Sequence, residues 1–187
     1  ASRISHVVIV TNDRDAYGQL ATHDVELLAE RSGGLSQAVE DAARHAAAGG
    51  ARGIVMVPGD LPLVRASDID AMAAQLEHEP TVAITPDVDE GGTNCIAVSP
   101  PDFMTYHFGR GSFHRHCDEA RKRGVEPRVE HRPRLGLDVD TVEDLAWLVE
   151  RLDEAPPDGR ARAFVLSHDL ASRLGHPHNI RSLSRKA

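Results

Sequence analysis

The chain predicts an α/β layered fold built on a mostly parallel sheet. Short β-branched runs alternate with stretches of helical period, and Gly, Pro, Asn or Asp breaks separate them at most changes of period. A length of 187 residues fits one medium domain, or a somewhat larger one with a tail.

The run from His6 to Thr11 ends at Asn12 and Asp13 and suits a strand buried on both faces, with Val25 to Leu28 as a weaker second strand. From Leu35 to Ala48 the period changes. Leu35, Ala38, Val39, Ala42 and Ala46 share one face of a helix that Gly33 and Gly34 precede and Gly49 and Gly50 stop. Ile54 to Val57 is another buried strand. Ser67 is placed to cap a helix reaching about His78, and Val82 to Thr85 restores extended structure. Gly91 and Gly92 mark a turn before a strand from Asn94 to Val98, and Ser112 to Arg123 reads as a helix closed by Gly124. Thr141 caps the last core helix, with Glu143 and Asp144 at its positive end and Leu145, Leu148, Val149 and Leu152 as its apolar stripe.

Pro156 and Pro157 break that helix, which divides the chain into a body of residues 1–152 and a C-terminal appendage of residues 153–187. One helix from Ala161 to Leu174 fits within the appendage and is suited to dock on the body or on a second copy of the chain, as in a homodimer. The closing stretch from Arg181 to Lys186 is basic.

Composition removes several function classes. Hydrophobic residues are 41% and charged residues 27%, the balance of a globular protein, and no apolar run approaches the roughly 18 residues of a membrane span. The beginning lacks the basic-then-apolar layout of a secretory signal. Against 21 Lys and Arg stand 29 Asp and Glu, a net charge of -8 that argues against a general nucleic-acid binder. Cys95 and Cys117 alone exclude a disulfide framework and fit the cytoplasm. With aromatics at 4%, the core must rest on Val, Ile, Leu and Ala.

Three clusters carry possible chemistry. Asp60 follows a buried strand on a loop that Gly59 bends and Pro58 and Pro62 stiffen, where open α/β sheets collect ligands. Asp138 and Asp140, two apart on an extended segment, point to one side and repel each other unless a cation, a proton or an Arg offsets them. Mg²⁺, held by a few carboxylates, waters and substrate phosphates, is the usual solution. Asp140 as a helix N-cap is the plainer reading. Gly109, Arg110, Gly111 and Ser112 run into a helix N-terminus, where free N–H groups, a hydroxyl and a guanidinium surround an anion. Thr93, after Gly92, offers a second phosphate-binding hydroxyl. Each cluster alone is more often a capped turn than a site.

Among the 11 histidines, His107, His114 and His116 lie near Cys117, but residues two apart on a helix share no face and the spacing matches no structural zinc pattern. His168, His176 and His178 read as solvated tail residues. No Gly-x-Ser-x-Gly, Walker loop or dinucleotide fingerprint occurs.

In order along the chain stand Gly59-Asp60-Leu61-Pro62, Gly92-Thr93-Asn94 before Ser99-Pro100-Pro101-Asp102, Phe108 to Phe113 with His116, and Leu137 to Thr141. This set resembles the guanylyltransferases of coenzyme F-420 biosynthesis, which act on 2-phospho-L-lactate or phosphoenolpyruvate, and the likeness spans about residues 6 to 150. The resemblance implies a GT-A-like nucleotidyltransferase sandwich with a mostly parallel mixed sheet. It also implies Mg²⁺ on Asp60, Asp138 and Asp140, a phosphorylated three-carbon acid on Thr93, Gly109, Arg110 and Ser112, and the guanine of GTP near Gly34, Leu35 and Ser36. This chain has Ser36 where the family usually has Asn, and Arg110 where Pro is frequent. The family also opens with a central strand and a triphosphate-gripping loop that residues 1 to 5 do not match, so an upstream segment is expected. The resemblance implies guanylyl transfer. The alternatives are a related nucleotidyltransferase with another acceptor and a non-catalytic nucleotide-binding subunit.

Overall fold

The computed structural model describes residues 1–20, 22–31 and 33–174, so His176, His178 and the basic end lie outside the described residues. The elements in chain order are β1 (Val8–Thr11), α1 (Arg14–Leu20), β2 (Glu26–Ala29), α2 (Gly34–Ala48), β3 (Ile54–Met56), α3 (Ala66–Ala73) and β4 (Thr81–Pro86). Then follow β5 (Thr93–Ser99), α4 (Ser112–Lys122), β6 (Arg128–Val129), α5 (Val142–Glu150), α6 (Arg160–Ser167) and α7 (Leu170–Leu174).

The sheets are mixed. β1 and β2 form a parallel pair, and a four-stranded sheet has the order β3-β5-β4-β6. β5 is antiparallel to both β3 and β4, while β4 and β6 are parallel. Three of the four strands therefore run one way, as expected of a mostly parallel mixed sheet, and the antiparallel strand, whose place the residues left open, is the central β5. The cause is the short link between β4 and β5, since parallel strands need a long crossover. Asp87 shapes that link by accepting hydrogen bonds from the N–H groups of Gly91 (2.8 Å) and Gly92 (2.6 Å).

β4 and β5 are buried throughout and alternate with period two. Val82, Ile84, Ile96 and Val98 join Val39 of α2 and Phe113, Cys117 and Ala120 of α4 in one core. Ala83, Cys95 and Ala97 face the other way, against Leu61, Met72 and Leu135. Truncating Ile84 or Ile96 to Ala would cost about 2–5 kcal/mol.

β1 and β3 correct the reading of strands buried on both faces. Every residue of each is only half-buried, because β1 pairs with β2 alone and β3 with β5 alone among the described residues. α2 packs on both strands and bridges the two sheets.

Three local features also differ from expectation. α3 begins at Ala66, and Asp68 rather than Ser67 completes its start by accepting from the Arg65 N–H at 3.0 Å. Asp68 is nearly sealed and also takes the Arg134 fork at 2.8 and 2.6 Å. Burial pushes its carboxyl up, but Arg134 and the Arg65 N–H outweigh that and hold it below the usual range. The expected single helix after Ala161 is two, broken where Asp169 takes a left-handed φ of 47°. Both dock on the body, where Val165 and Leu170 share a core with Leu63, Leu137 and Leu148.

Candidate active site

Sequence order separates the candidate residues, and a chain of hydrogen bonds joins most of them. The path begins at α2, whose Ser36 hydroxyl accepts from the Phe108 N–H at 2.9 Å. The motif at Gly34, Leu35 and Ser36 thereby touches the loop that leads into α4. Glu40, one turn further along α2, accepts from the Tyr106 N–H at 3.3 Å.

The loop from His107 to Gly111 is held from behind by Arg115. Its guanidinium donates to the carbonyls of His107 (2.9 Å), Phe108 (3.2 Å) and Gly109 (3.2 Å), and to that of Arg110. His107 and Phe108 spend their N–H groups on His116 and Ser36. The N–H groups of Gly109, Arg110 and Gly111 have no acceptor among the described residues, which leaves them for an anion. Gly109 and Gly111 sit at φ 97° and 75°, and a Cβ at Gly111 would come within 3.3 Å of Arg115. Gly111 gives α4 no side-chain cap, so the helix presents an unsatisfied positive end beside Ser112.

Thr93 joins this cradle through an irregularity. Strict alternation would put it with Cys95 and Ala97, facing away from α4. The ladder slips by one residue, however: Thr85 pairs with Cys95 and Pro86 with Thr93, leaving Asn94 as the extra residue of a bulge. The slip turns Thr93 toward α4, where its hydroxyl meets Nδ1 of His116 at 3.0 Å and the Ser112 hydroxyl at 3.3 Å. All three side chains are buried. Sequence reading named Thr93 and Ser112 but gave His116 no role, and its spacing carried no signal for one. The zinc reading of these histidines stays unsupported, since no group of three or more His, Cys, Asp or Glu among the described residues is placed to hold a metal ion.

Asn94 carries the path to the acidic side by donating to Oδ1 of Asp138 at 3.2 Å. Burial raises the Asp138 pKa, the Asn94 bond opposes that rise, and the charges of Asp140 and Asp60 add to it. Asp60 and Asp140 are thus each within electrostatic reach of Asp138, but among the described residues the three do not form a preassembled cage. Mg²⁺ needs only one or two protein carboxylates, and their mutual repulsion is the kind a cation relieves, so these residues fit the ion. Asp60 and Asp140 are exposed. Asp140 is not a cap: the Thr141 hydroxyl accepts from the Asp144 N–H at 3.2 Å, and the Asp144 carboxylate accepts from the Thr141 N–H at 2.8 Å. Arg110 and Leu35 are also exposed. Hollows also lie away from these residues, one between α2 and the β1–β2 pair and one against Arg160.

A crystal structure from Desulfovibrio desulfuricans G20, described as a nucleotide-diphospho-sugar transferase, superposes on 88% of this chain and 74% of its own with a TM-score of 0.68. At 20% identity, that likeness defines the fold class. The guanylyl transferase CofC-like family matches residues 1–154, and the chain belongs to it. It is a nucleotidyltransferase of the guanylyltransferase class. Phosphoenolpyruvate guanylyltransferase of Roseiflexus castenholzii is 36% identical over 165 residues, covering 88% of this chain and 75% of its own. A second of that name, from Rubrobacter xylanophilus, is 34% identical over 78% of this chain and 71% of its own. 3-Phospho-D-glycerate guanylyltransferase of Phenylobacterium zucineum is 39% identical over 64% of this chain and 52% of its own. Among the described residues no helix is long and apolar enough to cross a membrane.

Proposed function

We propose that the chain transfers GMP from GTP to a small phosphorylated three-carbon acid and releases pyrophosphate. The observation that carries this reading is the bonded path from Ser36 through the glycine turn and Thr93 to Asp138, which sets an anion cradle beside a group of carboxylates. The names of the relatives supply the acceptor class. Phosphoenolpyruvate and 3-phospho-D-glycerate both carry a phosphate and a carboxylate on three carbons, and coenzyme F-420 biosynthesis is the pathway that the motif resemblance implies.

A phosphate oxygen of the acceptor attacks the α-phosphorus of GTP, and the bond to the β-phosphate breaks. The second pKa of a phosphate monoester is about 6, so the nucleophile is ionised at neutral pH and needs no protein base. The work left to the protein is positioning and charge. Thr93, Ser112 and the N–H groups of Gly109 to Gly111 hold the acceptor, with Arg110 at the rim. Gly34, Leu35 and Ser36 line the guanine side. Asp60, Asp138 and Asp140 would hold Mg²⁺, which neutralises the developing charge on the phosphates.

Pyrophosphate release from GTP with Mg²⁺ tests this, with phosphoenolpyruvate, 3-phospho-D-glycerate and 2-phospho-L-lactate as acceptors in turn. One of them should support turnover. GTP binding with no release for any acceptor would make the chain a non-catalytic nucleotide binder, and equal use of CTP would move it to another nucleotidyltransferase.

A further inference from the structure

We infer that His116 is a positioning residue whose imidazole fixes the direction in which the Thr93 and Ser112 hydroxyls donate, so that the pair keeps one proton for an anion. This rests on the acceptor reading of the cradle. The His107 N–H donates to Nε2 of His116 at 2.8 Å, so that nitrogen uses its lone pair and bears no proton. The ring proton is then on Nδ1 and points at the Thr93 hydroxyl oxygen, 3.0 Å away. Between Thr93 and Ser112 there is one contact and two hydroxyl protons. Whichever hydroxyl donates across it, the other has a proton that cannot return to the imidazole, because Nδ1 is itself a donor. The imidazole, the two hydroxyls and the ligand form a one-way chain, and an acceptor-only group such as a phosphate or carboxylate oxygen completes it.

The surroundings keep the ring in this state. His116 is fully buried, with the Phe108 ring edge-on at 4.8 Å and Tyr106 at 6.2 Å. Burial first, then the nearby His107 and Arg115, push its pKa down to about 4. An imidazolium would also need an acceptor at Nε2, where a backbone N–H stands. Neither ring nitrogen offers a lone pair, so His116 is neither a metal ligand nor a general base. Its second task is structural, because the same Nε2 bond ties down the start of the loop that Arg115 clamps.

The test is a substitution series read in both substrates. His116→Phe keeps a ring without donors, and His116→Asn restores an N–H near the Nδ1 position. His116→Phe is expected to raise the KM for phosphoenolpyruvate roughly tenfold while leaving that for GTP unchanged. His116→Asn should recover most of the loss, and Thr93→Val should add little in the His116→Phe background. Equal changes for both substrates, or effects that multiply, would overturn the inference. Nitrogen-15 NMR of the unmodified protein gives a readout independent of folding and turnover, with a neutral Nδ1–H tautomer expected at pH 7 and still at pH 5.5. An Nε2–H tautomer or a charged ring would sink the proposal. Absence of turnover with every acid would defeat the functional reading alone, and calorimetric titration with phosphoenolpyruvate would then decide for His116 by the same tenfold difference.

Discussion

The two halves of the site are built in opposite ways. On the cradle side the scaffold is tied down: Arg115 takes four carbonyls, Ser36 and His116 take two N–H groups, and Thr93, Ser112 and His116 are buried, with the N–H groups of Gly109 to Gly111 left over. On the acidic side Asp60 and Asp140 are exposed and Asp138 is half-buried, with burial first and then the charges of Asp140 and Asp60 pushing its pKa up. One half is preorganised by the fold, and the other is a loose set of carboxylates that, on the proposed function, a cation would gather. The difference teaches where each kind of substitution should act. Damage to the cradle should loosen a finished structure, whereas damage to the carboxylates should leave the fold intact or improve it.

The sharpest way to break that contrast is Asp138→Asn. It should lower turnover on the order of 10³-fold, the scale for losing a main electrostatic group. It should also raise the melting temperature, because a carboxylate whose folded pKa is raised loses stability as pH climbs through that range. A drop in melting temperature at pH 7 would mean that the carboxylate is a structural anchor. Next in size is Arg115→Met, which removes the clamp. An acceptor KM raised by about 30-fold is expected, together with a stability loss of about 1–2 kcal/mol in urea. Ser112→Ala should raise the acceptor KM by about tenfold and leave the GTP KM alone, and an effect confined to GTP would exchange the roles of the two halves.

The smallest effect concerns pH. His116 binds its proton more weakly folded than unfolded, so its contribution is complete above 6.5 and is lost as pH falls toward about 4. Denaturation midpoints compared between pH 7 and pH 5 should fall less in His116→Gln than in the unmodified chain.

Much of this was legible in the residues, for identifiable reasons. α2, α4 and α5 announce themselves by helical period and by Gly33, Gly124 and Thr141 at their ends. α1 was missed because it buries no residue and so has no apolar stripe, and β6 because two exposed residues cannot alternate. Thr93, Ser112 and the aspartates could be named from composition and order. The unequal burial of Asp138 and Asp140 could not, since it depends on Asn94 of a distant strand. The part played by His116 was hidden for a similar reason, because its partners come from β5 and from a loop nine residues upstream.

The slipped ladder at Asn94 has one last consequence. Adjacent residues, separated by a single peptide unit, face the two halves of the candidate site, Thr93 meeting His116 and Ser112 and Asn94 meeting Asp138. On the proposed function, the offset between acceptor cradle and carboxylates would be set by one peptide unit of β5 rather than by the pliable distance between two loops. A residue inserted or deleted at that slip would turn Thr93 back to the opposite face and uncouple the two halves at once.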